Sequence, residues 1–230
     1  MAKRTFFVAG TDTDVGKTVV SAGLLAAANQ RGLSSMALKP VAAGCEVTEA
    51  GLRNGDALLL QQTASVKLSY AQVNPMAFEP AIAPHIAAQQ LGRRLDADRI
   101  AALCRGAMMQ PADFMIIEGA GGWRVPLNNR QTLADVAKLL RTPVILVVGM
   151  KLGCINHTLL TVEAIVKDGL RLAGWVANQA EPQMNCYQEN LATLKSMLSA
   201  PLLAEIPHIE TCEAENIAKY IDLEPLLIDQ

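Results

Sequence analysis

The chain is expected to fold as an α/β protein on a mostly parallel, doubly wound sheet, and three features of its 230 residues point there. Short β-rich runs alternate with helical patterns along its length. Two runs, Phe114-Met115-Ile116-Ile117 and Val144-Ile145-Leu146-Val147-Val148, hold no polar residue, as strands buried on both faces of a parallel sheet do. The first run, Thr5–Gly10, leads through a polar turn into Gly16-Lys17-Thr18 at the head of a helical segment. That order of strand, turn and helix is the layout of a phosphate-binding loop.

Taken in order, strands are expected at Thr5–Gly10, Ser35–Pro40, Phe114–Glu118, Val144–Gly149, Leu172–Asn178 and Leu202–Ile206. Helices are expected at Lys17–Arg31, Asp56–Gln62, Asp96–Met109, Thr132–Leu140, Asn156–Lys167 and Tyr187–Leu198. Gly32 and Gly169 follow two of these where helix ends favour glycine. Thr132-Leu133-Ala134-Asp135 has the form of a helix start with an acid at its third position. Residues 64–95, broken by Pro75, Pro80 and Pro84, read as an excursion over the carboxyl edge of the sheet. No repeat or linker divides the chain, so residues 1–230 are expected to form a single domain.

Composition narrows the function. Hydrophobic residues make up 51% and charged residues 18%, enough for a large core. Only 4% are aromatic, so that core is aliphatic. A net charge of −2 provides no field for nucleic acid or an anionic membrane surface. No apolar run approaches the roughly 18 residues of a membrane span. Met1-Ala2-Lys3-Arg4 is basic, but the apolar stretch behind it is too short for a secretory leader. Cys45, Cys104, Cys154, Cys186 and Cys212 are scattered without C-x-x-C spacing, which gives neither a zinc site nor a disulfide frame. The expectation is a cytoplasmic protein with reduced thiols.

Ligands of open α/β sheets bind at the carboxyl ends of the strands, and the unusual residues gather there. In the loop, backbone N–H groups and the helix start favour an anion. Lys17 adds a full charge for the terminal phosphates, and Thr18 offers a hydroxyl to Mg²⁺. The common pattern would place glycine at position 11; Thr11 stands there, with Gly10 one residue early. Glu118 ends an apolar strand before Gly119-Ala120-Gly121-Gly122, and is either a metal-holding acid or a solvent-exposed strand end. Asp56 reads as a metal ligand or a helix cap. Lys39, held extended by Pro40, reads as a phosphate-facing cation or a surface lysine. Asn178 reads as a purine contact or the start of a turn. Gly153-Cys154-Ile155-Asn156 leads into a helix start able to bind a carboxylate. His85, His157 and His208 show no metal spacing. Trp123 and Trp175 read as packing residues, with Trp123 also placed to wall a pocket.

Together these segments resemble the dethiobiotin synthetase family over nearly the whole chain. The resemblance rests on Gly10–Thr18, Lys39-Pro40-Val41, Gly51–Asp56, Val73-Asn74-Pro75, Glu118–Trp123, Leu152–His157, Gly174–Asn178 and Glu205-Ile206-Pro207. It implies a sheet of the P-loop NTPase type and an ATP-dependent ligase of biotin synthesis that closes the cyclic urea of dethiobiotin. By the same resemblance Asp14, Val15, Gly16, Lys17, Thr18 and Val19 receive the phosphates. Thr18, Asp56 and Glu118 hold Mg²⁺, and Gly119, Ala120 and Gly121 border the nucleotide. Asn178, Gln179, Pro207, His208 and Ile209 match adenine contacts, with Glu213 or Glu215 toward the ribose or purine. Lys17, Lys39 and Thr13 match catalytic positions. Thr13, Lys39, Ala43 and, across a homodimer interface, Gly153, Cys154, Ile155 and Asn156 match substrate contacts. Relatives often carry glutamate at Asp14, serine at Ala43 and an acid at Gln179. A nucleotide-driven switch of the septum- or plasmid-positioning kind shares such a sheet. It usually has an extra lysine early in the loop, where this chain has Thr11, Asp12 and Thr13. A related synthase acting on another carboxylate or carbamate is the third reading, kept open by Ala43.

Overall fold

A strand without polar residues must be covered on both faces, and in the computed structural model it is. The structure describes residues 3–209 and 213–228; Cys212 lies outside them. In chain order the elements are β1 (Arg4–Gly10), α1 (Lys17–Gln30), β2 (Ser35–Leu38), β3 (Val41–Ala42), β4 (Glu46–Thr48), β5 (Gly51–Arg53) and α2 (Gly55–Thr63). There follow α3 (Tyr70–Val73), β6 (Met76–Ala77), α4 (Pro84–Gln90), α5 (Ala97–Met108), β7 (Phe114–Glu118), α6 (Leu133–Leu140) and β8 (Val144–Gly149). The last are α7 (Cys154–Lys167), β9 (Leu172–Asn178), α8 (Tyr187–Met197), β10 (Leu202–Ile206), α9 (Ala214–Ala218) and α10 (Glu224–Leu227).

The main sheet has six strands in the order β10-β9-β8-β1-β7-β2, all parallel. Alternate side chains enter separate cores. Phe7, Ile117, Val148 and Trp175 pack with α5, α6, α7 and α8 on one face. Val8, Ile116, Val147 and Val176 pack with α1 and α9 on the other. Helix α1 comes close to α9 because its contact face is small: a Cβ on Gly23 would stand 2.4 Å from Ile217 Cγ2.

The register sets the strand ends side by side. Val8 pairs with Glu118, Gly10 with Val147, and Asn178 with both Gly149 and Ile206. The loops after β1, β2, β7, β8 and β9 therefore open on one edge.

All six expected strands are present. The second stops at Leu38, because the Lys39 N–H turns away to Val73 O (2.8 Å) and Pro40 has none. Helix α6 starts as expected, with Thr132 N donating to Asp135 Oδ2 (2.7 Å) in a capping box. Helix α7 begins at Cys154, two residues before the expected Asn156. Residues 64–95 are more ordered than an extended excursion, holding α3, β6 and α4. The β4–β5 hairpin and the short α9 and α10 were not anticipated.

Candidate functional site

The turn after β1 is tightly determined. A Cβ on Gly10 would meet Val15 Cγ2 at 2.7 Å and Asp12 O at 2.9 Å. Thr11, at the place the common pattern gives to glycine, is tied to the neighbouring strand. Its N–H donates to Val147 O (3.0 Å) and its Oγ1 accepts from Gly149 N (3.3 Å). Asp14 has φ +56°, a left-handed conformation that aspartate adopts more readily than most residues. Gly16, at φ +86°, leaves a Cβ only 2.2 Å from Asn178 Nδ2. Lys17 is 7% exposed, and its Nζ donates to Asp12 O (3.0 Å). Burial lowers its pKa to about 8, against the opposing pull of Glu118.

Beside it lies a buried charge cluster. Glu118, 0% exposed, accepts at Oε1 from Thr18 Oγ1 (2.8 Å) and Lys39 Nζ (2.5 Å). Its Oε2 is buried with no hydrogen-bond partner. Lys39 also donates to Asp56 Oδ2 (2.6 Å). Burial alone would lower the Lys39 pKa, but Glu118 and Asp56 together raise it. Burial and bonding remove the bland reading at three of these positions. Glu118 is no solvent-exposed strand end, and Lys39 no surface lysine. Asp56 is no cap: Asn54 Oδ1 accepts from Ala57 N (3.1 Å) and caps α2 in its place. Lys39 is held from behind by Asn74, whose Nδ2 donates to Lys39 O (2.6 Å).

Thr18, Asp56 and Glu118 present hard oxygen donors of the kind Mg²⁺ takes, and Glu118 Oε2 is buried without a partner. Among the described residues no group of three or more His, Cys, Asp or Glu is assembled for a metal. An ion here would draw its remaining ligands from phosphate and water, the usual pattern for Mg²⁺.

On the other side of the loop, Asn178 is buried and donates from Nδ2 to Val15 O (2.8 Å). Gln179 N donates to Ile206 O (2.9 Å), which brings the ends of β9 and β10 together. Pro207, His208 and Ile209 follow, with His208 Nδ1 3.0 Å from Ala180 O. Glu213 and Glu215 are exposed at the start of α9, and Glu213 Oε2 accepts from Asn216 (3.3 Å). Val19 lies in the first turn of α1. Thr13 is exposed, with Oγ1 3.5 Å from where a Cβ on Gly121 would lie. Gly119 N donates to Val8 O (2.9 Å), and Ala120 packs against the core. Ala43 is half-buried after β3, its carbonyl 3.4 Å from Asn54 Nδ2. Gly153 is the N-cap of α7 at φ +94°; Cys154 is buried, Ile155 half-buried, and Gly153 and Asn156 exposed.

Trp123 is a packing residue: 4% exposed, edge-on to Phe7 at 6.0 Å, with Nε1 donating to Asp168 (2.9 Å). Sequence reasoning passed over Lys151, whose Nζ reaches Asp12 Oδ2 (3.3 Å). The Thr13 N–H first, then Lys151, hold the Asp12 carboxyl below its usual range. Its signal was available, because Lys151 follows β8 at the same edge where Lys39 follows β2.

A parallel doubly wound sheet with a phosphate loop after its central strand, a buried lysine and a threonine beside a strand-end acid defines a P-loop nucleotide-binding protein. Solved structures agree in fold. Cobyrinic acid a,c-diamide synthase from Mycobacterium smegmatis, with a bound ATP analog and magnesium, matches at TM-score 0.58 and 17% identity, over 95% of this chain and 92% of that one. The septum site-determining protein MinD from Pyrococcus horikoshii, complexed with Mg-ADP, matches at 0.57 and 17%, over 94% and 93%. A family model described as an AAA domain matches residues 4–216. ATP-dependent dethiobiotin synthetase BioD of Cellvibrio japonicus is 58% identical over 99% of both chains. That of Pseudomonas aeruginosa is 56% identical over 96% of this chain and 97% of the relative, and that of Marinobacter nauticus 53% over 99% of both. The chain belongs to the ATP-dependent dethiobiotin synthetase family.

Proposed function

We propose that the protein is an ATP-dependent cyclo-ligase that converts 7,8-diaminononanoate and CO₂ to dethiobiotin, with ATP going to ADP and phosphate. Family membership across the whole chain supports the reaction. The observation that carries the site is the convergence of Thr18 and Lys39 on the buried Glu118, with Asp56 paired to the same Lys39 and Lys17 close by.

In the reaction one amine of the diamine adds to CO₂ and loses a proton, giving a carbamate. A carbamate oxygen attacks the γ-phosphorus and ADP leaves, forming a mixed anhydride. The second amine then attacks the carbonyl carbon; phosphate leaves, the urea ring closes and a proton is lost. The difficulty is to bring two anions together, which requires concentrated positive charge in a water-poor site. Lys17 would hold the terminal phosphates and Lys39 the carbamate, with Thr13 beside it. Thr18, Asp56 and Glu118 would hold Mg²⁺, which when bound neutralises phosphate charge. Displacing Lys39 from the two acids would free it to turn to the carbamate.

Asn178, fixed by its bond to Val15, would present its amide to adenine, flanked by Gln179, Pro207, His208 and Ile209, with Glu215 nearby. Ala43 would line the diamine. Gly153, Cys154, Ile155 and Asn156 would receive the substrate's carboxylate from a second protomer. Exposed Leu152, Leu160 and Val166 on and beside α7 supply apolar surface of the sort a protomer interface covers. No helix among the described residues is long and apolar enough to cross a membrane, and the working form in this reading is a cytoplasmic homodimer. The test is Lys39→Ala: kcat is expected to fall by about 10²–10³, the usual cost of a lost transition-state charge partner. Wild-type turnover would overturn the assignment.

A further inference from the structure

We propose that the cleft between the α4–α5 turn and the loop 126–131 is a second anion site, for a small phosphate-bearing molecule, separate from the nucleotide loop. A cavity of about 440 Å³ opens there, within the range of small-ligand sites. Its lining includes His85, Arg93, Arg94, Asn128 and Arg130, and no acid. None of its residues belongs to the phosphate-loop cluster.

The local charge stands against a chain whose net charge is −2. Arg31 pairs with Glu224 and Arg124 with Asp168, whereas among the described residues no ion pair involves Arg93, Arg94 or Arg130. Arg99 joins Arg93 and Arg94 around an adjoining recess of about 160 Å³. Guanidinium groups gathered without a carboxylate repel one another until an anion is shared between them. Their planar forks suit oxyanions bidentately. A phosphate group brings close to two charges and three acceptor oxygens where a carboxylate brings one charge, so it matches this density of donors better.

The walls are preorganised. Asn128 Oδ1 accepts from Arg130 N (2.9 Å) and Gln131 N (3.1 Å). Its Nδ2 donates to Leu95 O (2.9 Å), which ties the loop to the segment carrying Arg93 and Arg94. That segment is itself anchored where Arg93 N donates to Ala88 O (2.8 Å) after Gly92 at φ +63°. Buried polar atoms almost always have partners, yet His85 Nδ1, on a residue lining the cleft, is buried without one.

The probe is inorganic pyrophosphate, titrated without Mg²⁺ into the Lys17→Met protein, whose nucleotide loop is disabled. The expected result is calorimetric binding at one site per chain, and crystals soaked with the same probe showing it between Arg93 and Arg130. Arg93→Ser/Arg130→Ser in that background abolishes the binding. In the wild-type background the same pair leaves MgATP turnover and melting temperature unchanged, because both side chains are exposed. Absence of solution binding, density at the nucleotide loop alone, or density without solution binding (an adventitious ion only) would each overturn the site.

Discussion

Lys17 and Lys39 are both buried, and their surroundings push them in opposite directions. Desolvation leaves Lys17 titrating at about 8, so it is mostly charged below that pH and progressively neutral above it. Phosphates bind the charged form. Nucleotide Kd is therefore expected to rise above pH 8, approaching tenfold per pH unit, with proton uptake on binding; calorimetry on either side of pH 8 checks this. A Kd flat through pH 9 would contradict it. The sign for stability is the reverse. An unfolded lysine titrates near 10.5, so between about 8 and 10.5 the unfolded state binds more protons, and this residue makes the nucleotide-free protein more stable as pH rises. Lys39 also has a structural part, because it neutralises the fully buried Glu118. Lys39→Ala should destabilise the fold by about 3–5 kcal/mol, the cost of stranding a buried charge, and Glu118→Gln should recover much of that. Denaturant unfolding of the single and double variants measures it, and an unchanged single variant would contradict it. At Ala43, restoring a hydroxyl with Ala43→Ser should lower KM for the diamine about fivefold, the value of one hydrogen bond near 1 kcal/mol. An unchanged KM would mean that no substrate group waits there.

At the scale of elements, the main strands were legible because burial on both faces makes the inner ones apolar runs bounded by turns, while the edge strand β10 reads through an exposed Glu205. Val144–Gly149 is the clearest case, buried at every position. The pieces that escaped are short and held by distant partners. Strand β3 exists through its pairing with β6, and α4 is a seven-residue helix behind Pro84; neither has a period long enough to read. The sequence marked Lys39 and Glu118 because charges at strand ends stand out, but it could not tell burial from exposure there. Asp56 did not stand out, since its freedom depends on Asn54 taking the cap, and adjacent polar residues at a helix start do not reveal which of them caps. The α1–α9 contact sets propensity against packing. Gly23→Ala gains about 1 kcal/mol of helix propensity. The new methyl, however, would sit 2.4 Å from Ile217 Cγ2, and overpacking of this kind costs about 1–3 kcal/mol. Packing should win, so a lower melting temperature is expected, and a higher one would show that α9 yields.

For the whole molecule, the sheet alone does not choose a reaction: it is shared with cobyrinic acid a,c-diamide synthase and with MinD at 17% identity. The choice comes from residues at one edge and from relatives that match from end to end. The proposed homodimer would complete the site by bringing Gly153–Asn156 to a second chain, so sedimentation should give twice the 24.6 kDa chain mass. Leu160→Asp, on the exposed face of α7, should lower both that mass and turnover, and a fully active monomer would refute the shared site. The most direct test of the central claim is phosphate release from MgATP and bicarbonate, with and without 7,8-diaminononanoate, reading the organic product by mass. Release that depends on the diamine, with one product of dethiobiotin mass per phosphate, is predicted. ATP hydrolysis indifferent to the diamine, with no such product, would contradict it.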